Sequence, residues 1–447
     1  ENREFNFLAR TSSIDDFPKK RLYSSIEVIM PTSILYLPLK VPIRNDLVVP
    51  IGNWLDNYES QVSHATHPNS ISGAPALSIK KCTYSSLECR AELQRIAALR
   101  NCMAEHLQDA HKSALEDEML RDCQDYHATL LVFETRGAGP SVGDDIDNGI
   151  ALTWKGAFET KEQETHHTLL WDRACTLWNT ASLKSASAAF HCDQTTKEGL
   201  KKAIGFCQQA ASHLLLCKQL MESLNEFVST VDLSKPMLKF WEKIMLAQAQ
   251  TLIYQMANLG GSVRNHTTLA YLIQGASPLY NEALIITQDP RLQSEVPNPC
   301  QEWAAHCKAQ SLLCQSRASF HMSIQSRLSN DHGIEIARLR QTICRLEDVL
   351  SFCASSQVLQ EANKIFNNTT MSPMAEAAAT IQPDAENLKR LASDRLKAVE
   401  LDNQNIYLEE IPRNDQLGEI RPQTMVKRDL PLPNEMLTPR VNLFGWD

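Results

Sequence analysis

The side chains best equipped for chemistry in this chain are a cysteine, two pairs of histidines and a run of lysines. His191-Cys192 opens like the loop of a cysteine phosphatase, where backbone amides hold a thiolate and an arginine further along clamps the phosphate. At the arginine's position this chain has Glu198, whose carboxylate repels a phosphate group. His64 with His67, and His166 with His167, have no cysteine or carboxylate at a ligand spacing, so they read as solvated histidines and no metal is expected. No GxxxxGK[ST], GxGxxG or GxSxG segment occurs, so the sequence predicts no active site, cofactor or small-molecule substrate. Lys197, Lys201 and Lys202 open a helical stretch, where cations oppose the helix dipole at a cost of about a few tenths of a kcal/mol each. They are either a solvated basic edge or a docking point for an acidic partner. Tyr407, followed by Glu409 and Glu410 in NIYLEEIP, is a candidate phosphorylation site, its simpler role being to pack its ring on the helices.

The bulk numbers are those of a soluble globular protein, with 43% hydrophobic and 22% charged residues. Lys and Arg number 44 against 53 Asp and Glu, a net charge of −9 spread along the chain, so nucleic acid is not expected as a main partner. No apolar run reaches the roughly 18 residues of a membrane helix, and ENREFNFLAR lacks the order of a secretory signal. The 13 cysteines have no compact disulfide framework and read as free thiols of an intracellular, cytoplasmic protein. Asn-x-Thr triplets at Asn265, Asn367 and Asn368 then carry no sugar. Cys300, Cys307 and Cys314 share one helix face, as small core residues do.

Apolar periodicity predicts helices over 84–113 and on to about Phe133, a glycine-rich loop over 135–149, then helices over 166–190, 196–229, 235–259, 266–287, 299–328, 331–367 and 384–401. Such a succession predicts antiparallel hairpins stacked side by side. Alternating apolar residues from Ile34 to Leu39 predict a first strand, and the prolines after Asn403 predict an extended surface segment. In SKPMLKFWEKIMLAQAQTLIYQMANLGG (234–261), Ser234 is a helix N-cap and Gly260-Gly261 a stop. Leu238, Trp241, Met245, Leu252 and Met256 make one apolar ridge, and Phe240, Ala247 and Tyr254 a second, so this helix lies between neighbours. Gln248, Gln250 and Gln255 fall on the seams, where amides can bond across helices without burying a charge.

Seven segments in order, LTWKGAF (152–158), WDRACTLWNTASL (171–183), EGLKKAIGFCQQAA (198–211), IMLAQAQ (244–250), IEIARLRQ (334–341), NIYLEEIP (405–412) and MVK (425–427), resemble the Bro domain, most of all Alix-like members. The resemblance implies a mainly α, single boomerang-shaped domain over 30–432 with a tetratricopeptide-like helical core, a small N-terminal sheet and an extended C-terminal segment. Residues 1–29 are then an extension and 433–447 a tail. The family's shared activity is binding: an apolar groove receives the C-terminal amphipathic helix of an ESCRT-III subunit of the Snf-seven class (charged multivesicular body protein four), which recruits the protein from the cytoplasm to endosomal membranes. Carried over, the groove uses Ile253, Thr268, Leu269 and Leu272, with Lys201 as its rim cation. Thr268 stands where the family has an aliphatic anchor, so Leu269 is an alternative, and Lys197 stands where the rim is acidic. A signalling scaffold of rhophilin type, with the same fold and no ESCRT-III binding, is the other reading.

Overall fold

The computed structural model describes residues 35, 37–43, 94, 96–103, 105, 116–135, 151–158, 163–224, 230–259, 265–355, 373–427 and 434–437. The described positions from 94 to 105 are helical. Then follow α1 (Glu116–Thr135), strands β1 (Leu152–Lys155) and β2 (Gln163–His166), α2 (Leu169–Phe190), α3 (Lys197–Leu224) and α4 (Lys235–Asn258). Next come α5 (His266–Gln274), α6 (Ala276–Ile286), α7 (Pro290–Glu295), α8 (Pro297–Leu328), α9 (His332–Ser355) and α10 (Pro373–Asp402), which ends in a π-helical turn, Asn403–Tyr407; α11 (Asn434–Leu437) is a last short helix. The fold is mainly α, with a two-stranded antiparallel sheet and a segment from 408 to 427 that is extended apart from one 3-10 turn, Asn414–Gln416. The predictions for 1–29 and 135–149, apart from Thr135 itself, fall outside the described residues, as do Gly260-Gly261, His64 and His67.

Helix α2 explains how the N-terminal part of the chain is held. It buries Trp171, Leu177 and Trp178, but also Asn179, Ser182 and Ser185. Those polar groups bind residues 37–40: Asn179 Oδ1 accepts from Lys40 N at 2.8 Å and its Nδ2 donates to Lys40 O at 2.8 Å. Ser185 Oγ accepts from Leu37 N at 3.0 Å, and Ser182 Oγ donates to Leu37 O at 2.5 Å. From α4, Gln248 brackets Leu35 in the same way, accepting from its N–H at 2.6 Å and donating to its carbonyl at 3.2 Å. The strand predicted around Leu35 and Leu37 is therefore absent at the described positions. Helix side chains satisfy this backbone in place of a β-ladder, and the one bridge of the segment is Pro42 to Trp154 of β1.

Two buried ion pairs fasten these layers. Lys40 Nζ lies 2.5 Å from Asp232, which also accepts from Ala157 N at 2.7 Å. Asp172 receives Arg100, the Tyr126 hydroxyl and Trp154 Nε1, the last at 2.5 Å, so one carboxylate joins α1, β1, α2 and the 94–105 helix.

Three helix boundaries differ from the sequence reading. The stretch 166–190 begins as β2 and turns helical at Leu169, with Thr168 as N-cap. The stretch 266–287 divides at Gly275, where a Cβ would collide with the carbonyl of Gln423. The last long helix starts at Pro373 and passes through Pro383. A proline inside a helix loses a backbone bond; burial of Ile381, Ala385 and Leu388 and the Asp384 pair with Arg317 of α8 hold it helical.

Candidate functional site

Ser234 caps α4 as its side chain dictates, accepting from Met237 N at 3.4 Å, and Pro236 lies in the first turn. The helix packs along α3 through Ala203, Ile204, Cys207, Ala249 and Leu252. Above these buried residues, Phe206 of α3 and Ile253, Met256 and Leu259 from the end of α4 are half-buried, forming an apolar seam open to solvent. Lys201, one residue beyond buried Leu200, stands exposed at the start of α3, and no carboxylate pairs with it among the described residues. The N-terminus of α3 is tightly built. Thr196 Oγ1 accepts from Gly199 N at 3.1 Å, and a Cβ on Gly199 would meet Asp193 O at 2.5 Å. The Asp193 carboxyl is held below its usual range by hydrogen bonds from Thr195 and Thr196.

The structure separates the candidate residues into two sets. Ile253 lies half-buried on the seam with Lys201 at its edge. On α5, Thr268 is exposed in the first turn, its N–H bonded to the cap Asn265 at 3.0 Å, while Leu269 and Leu272 are closed into the main core. Asn265 is thus a helix cap. Tyr407 ends the π-helical turn with its ring stacked on His332, centroids 3.6 Å apart.

The glutamine seams have a function that the sequence did not disclose. Gln250 Nε2 donates to Leu272 O at 2.8 Å and to Gln423 O at 3.0 Å, and its Oε1 accepts from Met425 N at 2.8 Å. Gln423 N donates to Tyr271 O at 2.9 Å, and Lys427 N to Gln208 Oε1 at 2.7 Å. The extended segment therefore crosses α5, α4 and α3 in turn, and Val426 packs into the seam as one wall. Gln250 bonds across helices, as its place on the seam predicts, through Leu272 O; its hold on the extended segment, and the parts of Gln208 and Val426, were missed.

The groups first suspected of catalysis are otherwise engaged. Burial, aided by Asp193, pushes the Cys192 thiol up to about 11, the opposite of what a thiolate nucleophile requires. His166 is buried rather than solvated, 3.1 Å from Glu164 and packed on Trp171. Cys300, Cys307 and Cys314 are all buried, as core residues. Among the described residues no group of three or more His, Cys, Asp or Glu side chains is placed to hold a metal ion, and no helix is long and apolar enough to cross a membrane.

A helical body whose glutamines strap an extended C-terminal segment beside an apolar seam defines a helical binding domain. The chain belongs to the BRO1-like domain family, whose model matches residues 75–444. It is 25% identical over 303 residues to the pH-response regulator protein palA/RIM20 of Emericella nidulans, covering 67% of this chain and 32% of that protein. It is 24% identical over 352 residues to the vacuolar-sorting protein BRO1 of Arabidopsis thaliana, covering 77% and 38%. With the programmed cell death 6-interacting protein of Homo sapiens it shares 28% identity over 269 residues, covering 59% and 29%. The chain thus spans about a third of the length of these relatives. The fold matches that of a solved structure described as "ALIX BRO1 CHMP4C complex" with a TM-score of 0.67 at 20% identity, covering 92% of this chain and 99% of that one.

Proposed function

We propose that this domain is a non-catalytic adaptor of endosomal sorting, which receives the C-terminal amphipathic helix of an ESCRT-III subunit of the Snf-seven class. The observation that carries this reading is the half-buried apolar seam of α3 and α4, with an unpaired lysine at its edge. An amphipathic helix buries apolar anchors in such a seam, and its acidic residues meet the cation. Ile253 and Thr268 contact the partner, Lys201 orients it, and Leu269 and Leu272 seat α5 from below. A CHMP4C complex of a protein with this fold supports the choice of partner. Through that partner the protein, otherwise cytoplasmic, associates with endosomal membranes. Tyr407 is proposed as a phosphate acceptor, since its hydroxyl-bearing ring is part of an exposed turn.

The test is titration of the C-terminal helix of charged multivesicular body protein four against the chain. Binding is expected, with Lys201→Glu weakening it roughly tenfold and added salt shrinking that difference. Ile253→Asp is expected to abolish it. A well-folded chain that ignores the peptide would end this reading in favour of a scaffold of rhophilin type.

A further inference from the structure

Arg338 and Arg345 lie two turns apart on α9, on the face that meets α8. Arg345 Nη1 donates to Gln315 O at 3.2 Å and to the buried Ser319 Oγ at 2.5 Å. Ser319 Oγ donates in turn to Gln341 Oε1 at 3.0 Å, and the same oxygen accepts from Arg338 Nη1 at 3.0 Å. Arg338 Nη2 donates to the carbonyl of Gly418 in the extended segment. Two guanidiniums thus converge on one bridge made of a hydroxyl and an amide, and every acceptor they use is uncharged.

Other interior arginines have a counterion. Arg100 is matched by Asp172 at 3.3 Å, and Arg317 by Asp384. No carboxylate pairs with Arg338 or Arg345 among the described residues, although Arg338 is only 6% exposed and its Nε is buried without a hydrogen-bond partner. Burial, and after it the neighbouring Arg345, holds the Arg338 guanidinium below its usual range, and burial does the same to Arg345. A guanidinium keeps its proton near neutrality, so positive charge collects between α8 and α9 with no anion to balance it.

This charge can be reached from outside. Arg345 is half-buried, as are Gln315 and Gln341 beside it, and Gly418 is exposed. The bonds of its Nη1 fix the plane of the Arg345 fork, while Nε and Nη2, the edge that grips two oxygens side by side, have no partner among the described residues. A planar fork held in advance suits the oxygens of a phosphate and loses little freedom on binding one. Two cations also match the roughly two negative charges of a phosphate monoester better than the single charge of a carboxylate.

We propose that Arg345, backed by Arg338, forms an anion site for the phosphate of a phosphorylated serine or threonine side chain. The surroundings favour this source over a lipid surface. Asp348, one turn beyond Arg345, and Glu419 are exposed, as is Arg421, and Glu347 is paired with Lys389 at 3.0 Å. Such mixed charge leaves room for one phosphate, whereas an anionic membrane asks for a cluster of roughly four to eight basic residues.

The test titrates the full chain with inorganic phosphate, with N-acetyl-O-phosphoserine amide, and with the serine and glutamate counterparts of that compound. Calorimetry and the Nε–H resonance of Arg345 read the result. Both phosphates are expected to bind and to move that resonance, and the two counterparts not to bind. Arg345→Gln is expected to weaken phosphoserine binding about tenfold or more, and Arg345→Lys, which keeps the charge but loses the fork, by a smaller factor. Arg421→Gln should leave the affinity unchanged. The melting temperature of the parent chain should rise with phosphate and not with sodium chloride of equal ionic strength, a reading that needs no variant to fold. Unchanged affinity in Arg345→Gln, equal binding of the glutamate compound, or a melt indifferent to phosphate overturns the proposal. Binding to phosphatidylcholine vesicles that carry phosphatidylinositol phosphate, lost in Arg345→Gln while the phosphoserine compound stays unbound, overturns it too and assigns the site to a lipid headgroup.

Discussion

Gln250 of α4 and Gln423 of the extended C-terminal segment are joined side chain to backbone: the amide nitrogen of the first donates to the carbonyl of the second at 3.0 Å, and its oxygen accepts from Met425 N two residues on. One fully buried amide thus supplies the hydrogen bonds that a neighbouring strand would supply in a sheet. Gln248 does the same for Leu35 at the other end of the chain. Two glutamines within one turn of α4 hold Leu35 and the segment around Gln423.

Gln250→Ala removes three hydrogen bonds and leaves Leu272 O buried without a substitute, while Gln423 and Met425 lose their tie to α4. A loss of about 2–3 kcal/mol is expected, together with faster amide hydrogen exchange at Met425 and Lys427. Unchanged exchange there would mean that the segment is held by Val426 packing alone.

Glycines distinguish close approach from mere tolerance. At Gly275 an added Cβ meets the Gln423 carbonyl, which is backbone and cannot swing aside, whereas at Gly205 in α3 nothing lies within 4 Å. Gly275→Ala should lower the melting temperature and release the extended segment. Gly205→Ala should raise stability by about 0.5–1 kcal/mol, the ordinary helix-propensity gain. Chemical denaturation of both variants checks the contrast.

Acid should loosen the same body. Burial lowers the pKa of His306 to about 4, and that of His213 to about 4. Burial and the neighbouring Arg173 bring His127 to about 3. His127 and His213 enclose Met436 of α11, at 3.0 Å from its carbonyl and 3.0 Å from its sulfur. Each folded-state value lies below the unfolded one, so the unfolded chain binds more protons and stability falls as pH drops. Their contribution is complete above about pH 6.5 and declines by about 1.4 kcal/mol per unit per histidine toward pH 4. The urea midpoint should follow that slope, and His306→Gln should flatten it by one histidine's share.

What was legible in the sequence was local. Ser234 and Pro236 mark the start of α4 because a cap acts within one turn, and the seven-residue spacing of Cys300, Cys307 and Cys314 records one buried face. Partners far along the chain left no such mark: Gln250 and Gln423 are 173 residues apart. Alternation around Leu35 resembled a strand because an extended segment bound by helix side chains has the same period as one bound by a ladder. Apolar ridges likewise do not say which residues end beneath the surface. Ile253 and Leu272 looked equivalent as letters, and the fold left one half-exposed and the other 6% exposed.

That difference decides the last prediction. An aspartate at Leu272 places a carboxylate in the apolar main core that Leu269 and Ile273 share. The expected loss is on the order of 3–5 kcal/mol, visible as a large drop in melting temperature. An aspartate at Ile253 keeps its charge near water, so the loss should be about 1–2 kcal/mol, the value of partial apolar burial. Binding of the ESCRT-III helix should nevertheless vanish in Ile253→Asp, because the seam then offers a charge to an apolar anchor. Measured together, melting and binding separate the floor of the site from its surface. If Leu272→Asp folds as well as Ile253→Asp and both lose the peptide, Leu272 is a contact residue and α5 moves when the partner arrives.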